Sequence, residues 1–188
     1  MRYPLFPKVA NYVALTFILS MSLMAKNSLF VNSRSSFFLN GEWNIIIDPY
    51  ENGYYNYRWE PIDQMNQPSA TGYFGDKKPE SPSDLIEYDY DKSPTLHVPG
   101  DWNTQDSILL FYEGTIWYRK KFDAPQELKN KKVFLYFGAV NYRADVYLNA
   151  KKIGIHIGGF TPFYFEITNF LKEKDNSLIV KVDNKRLK

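Results

Sequence analysis

The stretch that decides the fold is residues 144–157, which read ADVYLNAKKIGIHI. The second half, residues 152–157, alternates in type with a period of two, which is the pattern of a half-buried β-strand, and residues 144–148 form a second strand-like run. The Asn149-Ala150 step between the two halves is typical of a turn. Residues 144–157 therefore predict a β-hairpin.

Similar short runs occur before and after this hairpin. In residues 41–47, Trp43, Ile45 and Ile47 alternate toward one face, while residues 132–137 are mostly apolar and predict a strand buried on both faces. Residues 168–172 predict a single helical turn. About eight short strands with little helix-period sequence predict an all-β fold, a β-sandwich or jelly roll. The remaining predicted strands are 37–39, 96–98, 115–122, 163–167 and 176–184.

An irregular insertion at about residues 49–95, called the excursion below, interrupts the strands. It is rich in Pro, Gly, Ser and Asp and carries many aromatic residues. Exposed rings such as Tyr54, Tyr55 and Tyr57 can stack on sugar faces, whereas buried rings would pin the excursion to the body of the domain. Both interpretations stay open at this point.

Composition excludes several classes of site. The chain has no Cys, which rules out disulfides, cysteine-bound zinc and a thiol nucleophile. Its two histidines, His97 and His156, lie far apart in sequence, which disfavours a catalytic triad or a multi-histidine metal site. We therefore expect no metal and no cofactor.

Residues 1–25 carry Arg2 and Lys8 ahead of an apolar run, which predicts a signal peptide and export to the periplasm or medium. An uncleaved membrane anchor is the alternative. Residues 26–35 are a predicted linker, and residues 36–188 the folded domain. Without residues 1–25 the chain has 21 basic and 21 acidic residues, which disfavours nucleic-acid binding.

Charge is unevenly distributed along the remaining chain. Residues 26–100 hold 6 basic and 11 acidic side chains, whereas residues 101–188 hold 15 and 10. The simplest interpretation is a polar surface divided by chance.

Five segments in series carry a resemblance: VPGDWN at 98–103, YEGTIWYRKKF at 112–122, LYFGAV at 135–140, ADVYLN at 144–149 and GIHIGGFTPF at 154–163. Together they resemble the N-terminal sugar-binding domain of glycoside hydrolase family 2, which contains β-galactosidases, β-glucuronidases and β-mannosidases. The resemblance runs from about residue 39 to 184 and implies a galactose-binding-like jelly roll. The start LNGEW at 39–43 and the segment 51–59 look closest to the β-glucuronidase branch, while residues 64–94 depart from it.

The same resemblance implies that the catalytic glutamates lie elsewhere. Family members place two Glu on a separate (β/α)₈ barrel, and the acid/base Glu directly follows an Asn; this sequence has no Asn-Glu dipeptide. Glu113, Glu166 and Asp145 are more simply surface charges. We therefore expect a chain that lacks the barrel, has no catalytic residue of its own and is inactive alone.

Two functional hypotheses follow from the resemblance, together with a third in which the chain is a remnant that binds nothing. In the first, the chain is the truncated N-terminal part of an exported exo-β-glycosidase, with a separate catalytic-barrel polypeptide as partner. In the second, it is a stand-alone carbohydrate-binding module. The candidate sugar-binding residues are Trp102, Asn103, Tyr112 and Glu113, although Asp101 and Asn103 are more simply explained as caps of a turn.

Overall fold

The computed structural model describes residues 35–64, 72–84, 86 and 88–185. The predicted signal peptide and most of the predicted linker lie outside these residues. The described residues from 39 to 185 belong to one compact unit, and the described part of a second unit, residues 35–38, has no regular secondary structure. The predicted strand at 37–39 is therefore wrong. Within the described ranges, no helix has the length and apolar character needed to cross a bilayer.

The described residues form eight antiparallel strands in two sheets. The strands are β1 (Gly41–Ile47), β2 (Thr95–Val98), β3 (Thr115–Phe122), β4 (Phe134–Phe137), β5 (Arg143–Leu148), β6 (Lys151–Ile157), β7 (Phe163–Glu166) and β8 (Asn176–Asp183). The larger sheet has the order β2-β1-β3-β8-β5-β6, and β4 pairs only with β7. One short helix, α1 (Trp102–Gln105), follows β2.

The predicted hairpin is confirmed as β5 and β6. Asn149 and Ala150 both have positive φ, 53° and 63°, as a two-residue turn that follows the twist of the strands requires. The predicted helical turn at 168–172 is present as a hydrogen-bonded turn, in which the Leu171 N–H donates to the Ile167 carbonyl at 3.1 Å.

The main core lies between the two sheets, which confirms the β-sandwich. Even-numbered residues of β3, β5 and β8 point into it, because successive side chains of a strand face opposite sides. They pack against Leu135 of β4 and Phe163 of β7. The buried residues from the three central strands are Ile116, Tyr118, Ala144, Val146, Leu148, Leu178, Val180 and Val182.

The run 132–137 differs from its prediction. Its strand is shorter, and only Leu135 is buried, while the next side chain, Tyr136, is 42% exposed. The reason is that β4 belongs to the outer two-stranded sheet, which has the core on one face only. Ile47 at the end of β1 is likewise exposed, although Trp43 and Ile45 face the core as expected.

The excursion covers the opposite face of the large sheet. Odd-numbered residues Trp117, Tyr147 and Ile179 of the central strands form a second core with it. Several aromatic rings therefore pin the excursion to the body, as one of the two interpretations held. Tyr54 is one of them and is too deeply buried to stack on a sugar. The excursion contributes Tyr54, Ile62, Phe74, Tyr88 and Tyr90.

Carboxylates of the excursion pair with cations of the strands beneath it. Lys181 Nζ of β8 lies 2.8 Å from Glu51 Oε1, and Lys152 Nζ of β6 lies 2.6 Å from Asp63 Oδ2. A buried charge without a partner is strongly destabilising. The carboxylates of the excursion supply partners for the cations that it buries on the strands. The uneven charge along the sequence thus reflects pairing across this interface rather than chance.

Candidate functional site

One open cleft of ≈ 710 Å³ lies where β3 begins and β8 ends. Three segments and one side chain of α1 form it: the loop before β3, the residues that precede β5, and those that follow β8. Antiparallel pairing brings these segments together, because Asp183 at the end of β8 is opposite both Thr115 and Arg143. The lining residues are Asn103, Leu110, Phe111, Tyr112, Glu113, Asn141, Tyr142, Asn184 and Lys185.

Three of the four predicted sugar-binding residues meet at this cleft: Asn103, Tyr112 and Glu113. Sugar binding by them stays a prediction. The fourth, Trp102, is instead buried in the main core, and its Nε1 donates to the Tyr112 carbonyl at 3.3 Å. Because its ring faces other core residues, Trp102 supports the cleft wall from behind and offers no surface for a sugar.

Asn103 fixes the loop that forms one wall of the cleft. Its Nδ2 donates to the carbonyl oxygens of Leu109, Leu110 and Tyr112, the last two at 3.3 Å. The start of α1 is capped by Asp101, whose Oδ1 accepts from the Asn103 N–H at 3.0 Å. The capping explanation for Asp101 is therefore confirmed, and the Asn103 amide holds the loop.

Replacing Asn103 with alanine is expected to lower the free energy of unfolding by about 1 to 3 kcal/mol, because the loop carbonyls lose their shared donor. Urea unfolding followed by tryptophan fluorescence measures this loss. Thr104→Ala is the matched control, since Thr104 makes one exposed hydrogen bond to Asp101 at 2.9 Å on the same helix. Equal effects of both substitutions would show that Asn103 does not hold the loop.

Tyr112 presents part of its ring to the cleft while its hydroxyl points inward. The hydroxyl donates to the Thr115 carbonyl at 2.9 Å. Burial raises the pKa of Tyr112 to about 12, and the negative charge of Asp48 adds to this effect. The phenol therefore stays protonated at neutral pH, so Tyr112 offers ring surface rather than a base.

Other lining residues were not identified from the sequence. Lys185 reaches from the cleft toward the excursion, where its Nζ lies 3.1 Å from Glu51 Oε2. Burial acts to raise the pKa of Glu51, but the hydrogen bonds and charges of Lys181 and Lys185 outweigh it and lower that pKa. Glu51 thus stays ionised and links the cleft to the excursion. No local pattern marks Asn141, Tyr142 or Lys185, since only strand pairing brings them together.

The cleft is chemically suited to binding rather than to glycoside hydrolysis. Glu113 is the one carboxylate among its lining residues, whereas retaining hydrolysis needs two carboxyl groups about 5 Å apart. Across the described part of the chain, no group of three or more His, Cys, Asp or Glu side chains is placed to hold a metal ion. Aromatic surface beside amide, carboxylate and ammonium groups is typical of sites that bind polar organic ligands.

Comparisons with known proteins agree with this architecture. The family described as glycosyl hydrolase 2 galactose-binding domain-like matches residues 95–188. A putative β-glucuronidase of Formosa agariphila is 36% identical over 94 residues, which make up 48% of this chain and 11% of that protein. A β-galactosidase of Thermoanaerobacter pseudethanolicus is 34% identical over 117 residues, covering 58% of this chain and 16% of that protein.

A solved structure shows the same similarity in three dimensions. The Lactobacillus rhamnosus β-glucuronidase superposes with a TM-score of 0.63 at 25% identity, over 86% of this chain and 23% of that one. The chain thus spans a minor fraction of the length of the relatives that it matches. Because the family match covers β2 to β8 and the cleft between them, the chain belongs to glycosyl hydrolase family 2 and carries its N-terminal, galactose-binding-like domain.

Proposed function

We propose that this domain supplies a non-catalytic sugar-binding wall to a family 2 exo-β-glycosidase of the β-glucuronidase or β-galactosidase type. The observation that carries the proposal is the cleft, which combines the Tyr112 ring, the Glu113 carboxylate and the Lys185 ammonium at one end of the sheet. Rings contact the apolar faces of sugars, and the polar groups bind their hydroxyls. A separate catalytic-barrel polypeptide is the partner in this proposal.

The chain alone is expected to show no turnover of 4-nitrophenyl β-D-glucuronide or β-D-galactoside. The physical reason is that glycoside hydrolysis needs two carboxyl groups, whether it retains or inverts the configuration, and the cleft has a single carboxylate. A chromogenic assay on the purified chain, with a family 2 β-glucuronidase as positive control, measures the turnover. Hydrolysis that disappears in Glu113→Gln would contradict the non-catalytic assignment.

Calorimetric titration of the same sample distinguishes a stand-alone carbohydrate-binding module from a wall that acts only beside a catalytic barrel. Saturable heat with oligosaccharides, reduced in Glu113→Gln, would favour the stand-alone binding module. Absence of heat from a folded chain would favour a wall that acts only beside its barrel. The matched control is Glu173→Gln, because Glu173 is exposed, lies outside the cleft and forms an ion pair with Lys129.

A further inference from the structure

A second surface with ligand-binding character lies on the excursion, at Tyr57, Arg58 and Trp59, together called the tip. The Tyr57 side chain is 85% exposed and that of Trp59 is 70% exposed. None of the three residues lines the cleft. Most other aromatic residues of the excursion are buried in the second core, so the tip does not share their role of attachment.

The backbone beneath the tip is held in one conformation. Asn56 Oδ1 accepts from the N–H groups of Arg58 at 2.8 Å and Glu60 at 3.0 Å, and the Trp59 N–H donates to the Asn56 carbonyl at 2.9 Å. Asn56 Nδ2 also donates to the Glu60 carboxylate at 2.9 Å. A preformed surface loses less conformational entropy when it binds a ligand, which favours affinity.

The rings of the tip are supported on one side. The Trp59 ring lies 5.7 Å from the Tyr55 ring, which in turn stands edge-on against the buried Tyr54 at 4.7 Å. The Arg58 guanidinium lies 5.2 Å from the centre of the Tyr57 ring. Trp59 therefore has a firm base against the domain while most of its surface remains open to solvent.

Arg58 differs from the cations beneath the excursion. Lys181, Lys152 and Arg119 each pair with an excursion carboxylate. In the described part of the chain no carboxylate lies within ion-pair distance of Arg58, and the nearby Glu60 is bonded to Asn56 instead. A guanidinium is a planar, permanent cation that binds carboxylates through paired hydrogen bonds.

We propose that the tip binds a polysaccharide containing uronic acid. The rings of Tyr57 and Trp59 stack on sugar faces, and Arg58 pairs with a uronate carboxylate. This goes beyond the proposed function, because it assigns a ligand to a surface outside the cleft. A neutral glycan could stack on the two rings but would offer no carboxylate to Arg58. The arrangement therefore favours an acidic glycan.

The test is affinity gel electrophoresis of the purified chain in gels that contain polygalacturonate. We expect polygalacturonate to retard the chain and its methyl ester to retard it less. Added salt should weaken the retardation by polygalacturonate. Trp59→Ala is expected to raise the dissociation constant about tenfold, and Arg58→Gln to remove the preference for the free acid. Phe160→Ala is the matched control, since Phe160 is 93% exposed at a different site.

Each outcome bears on the proposal. Three results would overturn the proposal. The folded chain is not retarded by polygalacturonate, or it binds the acid and the methyl ester equally. In the third, Trp59→Ala and Phe160→Ala lose equal affinity for polygalacturonate. Glu173→Gln, which lies outside both the cleft and the tip, should leave retardation unchanged. The tip proposal and the cleft proposal can fail independently. If the chain binds polygalacturonate but cleft variants change the binding of no glycan, the tip proposal is supported and the cleft proposal is contradicted.

Discussion

Replacing Trp117 with alanine is expected to lower the free energy of unfolding by about 4 kcal/mol. Trp117 is completely buried in the second core, within 5.7 Å of the Tyr73 ring and 6.1 Å of the Tyr147 ring, centre to centre. Its removal leaves a cavity between the large sheet and the excursion, and neither side can collapse freely because both are held by other contacts. The excursion should then detach more often.

The Trp117 indole also completes the hydrogen bonds of a buried carboxylate. Its Nε1 donates to Asp48 Oδ2 at 2.9 Å, and Asp48 accepts from the N–H groups of Asn52 at 2.9 Å and Gly53 at 3.0 Å. Trp117→Phe keeps much of the apolar contact and loses this bond. We therefore expect an intermediate loss of about 1 to 3 kcal/mol for Trp117→Phe.

Urea unfolding measures both substitutions, and limited proteolysis reports whether the excursion opens before the rest of the domain. Trp59→Ala is the control, because Trp59 lies on the same excursion but is largely exposed, and it should cost well under about 1 kcal/mol. If Trp117→Ala cost no more than Trp59→Ala, the second core would not stabilise the domain.

Arg119→Met is expected to cost about 3 kcal/mol, since it leaves the largely buried Asp76 carboxylate without its cation. The Arg119 side chain is 3% exposed, and its guanidinium donates to Asp76 at 2.9 Å, Asp91 at 2.6 Å and the Asn44 side chain at 3.1 Å. It also lies 5.0 Å from the centre of the Tyr90 ring. Methionine fills most of the volume, so the loss reports mainly on charge.

Lys121→Met is the matched control on the same strand. Lys121 also approaches Asp91, at 3.4 Å, but its side chain is 49% exposed, so its removal should cost less than about 1 kcal/mol. Adding Asp76→Asn to Arg119→Met should restore part of the stability, because it removes the buried charge that lost its partner. Equal losses for Arg119→Met and Lys121→Met would show that burial does not strengthen the Arg119 pairs.

These two residues show why the excursion belongs to the fold. Trp117 and Arg119 are odd-numbered residues of β3, and both point away from the main core. In a two-layer sandwich that face would be open to water, yet here the excursion buries it with aromatic rings and pairs its cations. The large sheet is therefore covered on both faces, by the β4-β7 sheet on one and by the excursion on the other.

Much of the fold could be predicted because strand patterns are local. Eight of the predicted strands are present within two residues of their expected ends, and the turn at Asn149 and Ala150 follows from adjacent residues. The strand predicted at 37–39 is absent. The prediction that both faces of the strand at 132–137 are buried is wrong. Burial of the second face depends on which sheet β4 joins, and the sequence of one strand does not determine its sheet.

The candidate site was predicted only in part, for a similar reason. Asn103 lies in the segment 98–103, and Tyr112 and Glu113 lie in the segment 112–122; both segments carry the resemblance. By contrast, Asn141 and Lys185 reach the cleft only through the pairing of β5 and β8. Trp102 belongs to the segment 98–103 but turns into the core.

The sequence by itself determined the strand class, the hairpin and the resemblance to family 2, because alternation and turn residues act over a few neighbours. Only the tertiary structure decided which side of each strand is covered, and by what. Burial is a property of the whole packed chain: the excursion hides Tyr54 and leaves Tyr57 and Trp59 in water, although all three are aromatic residues of one short segment.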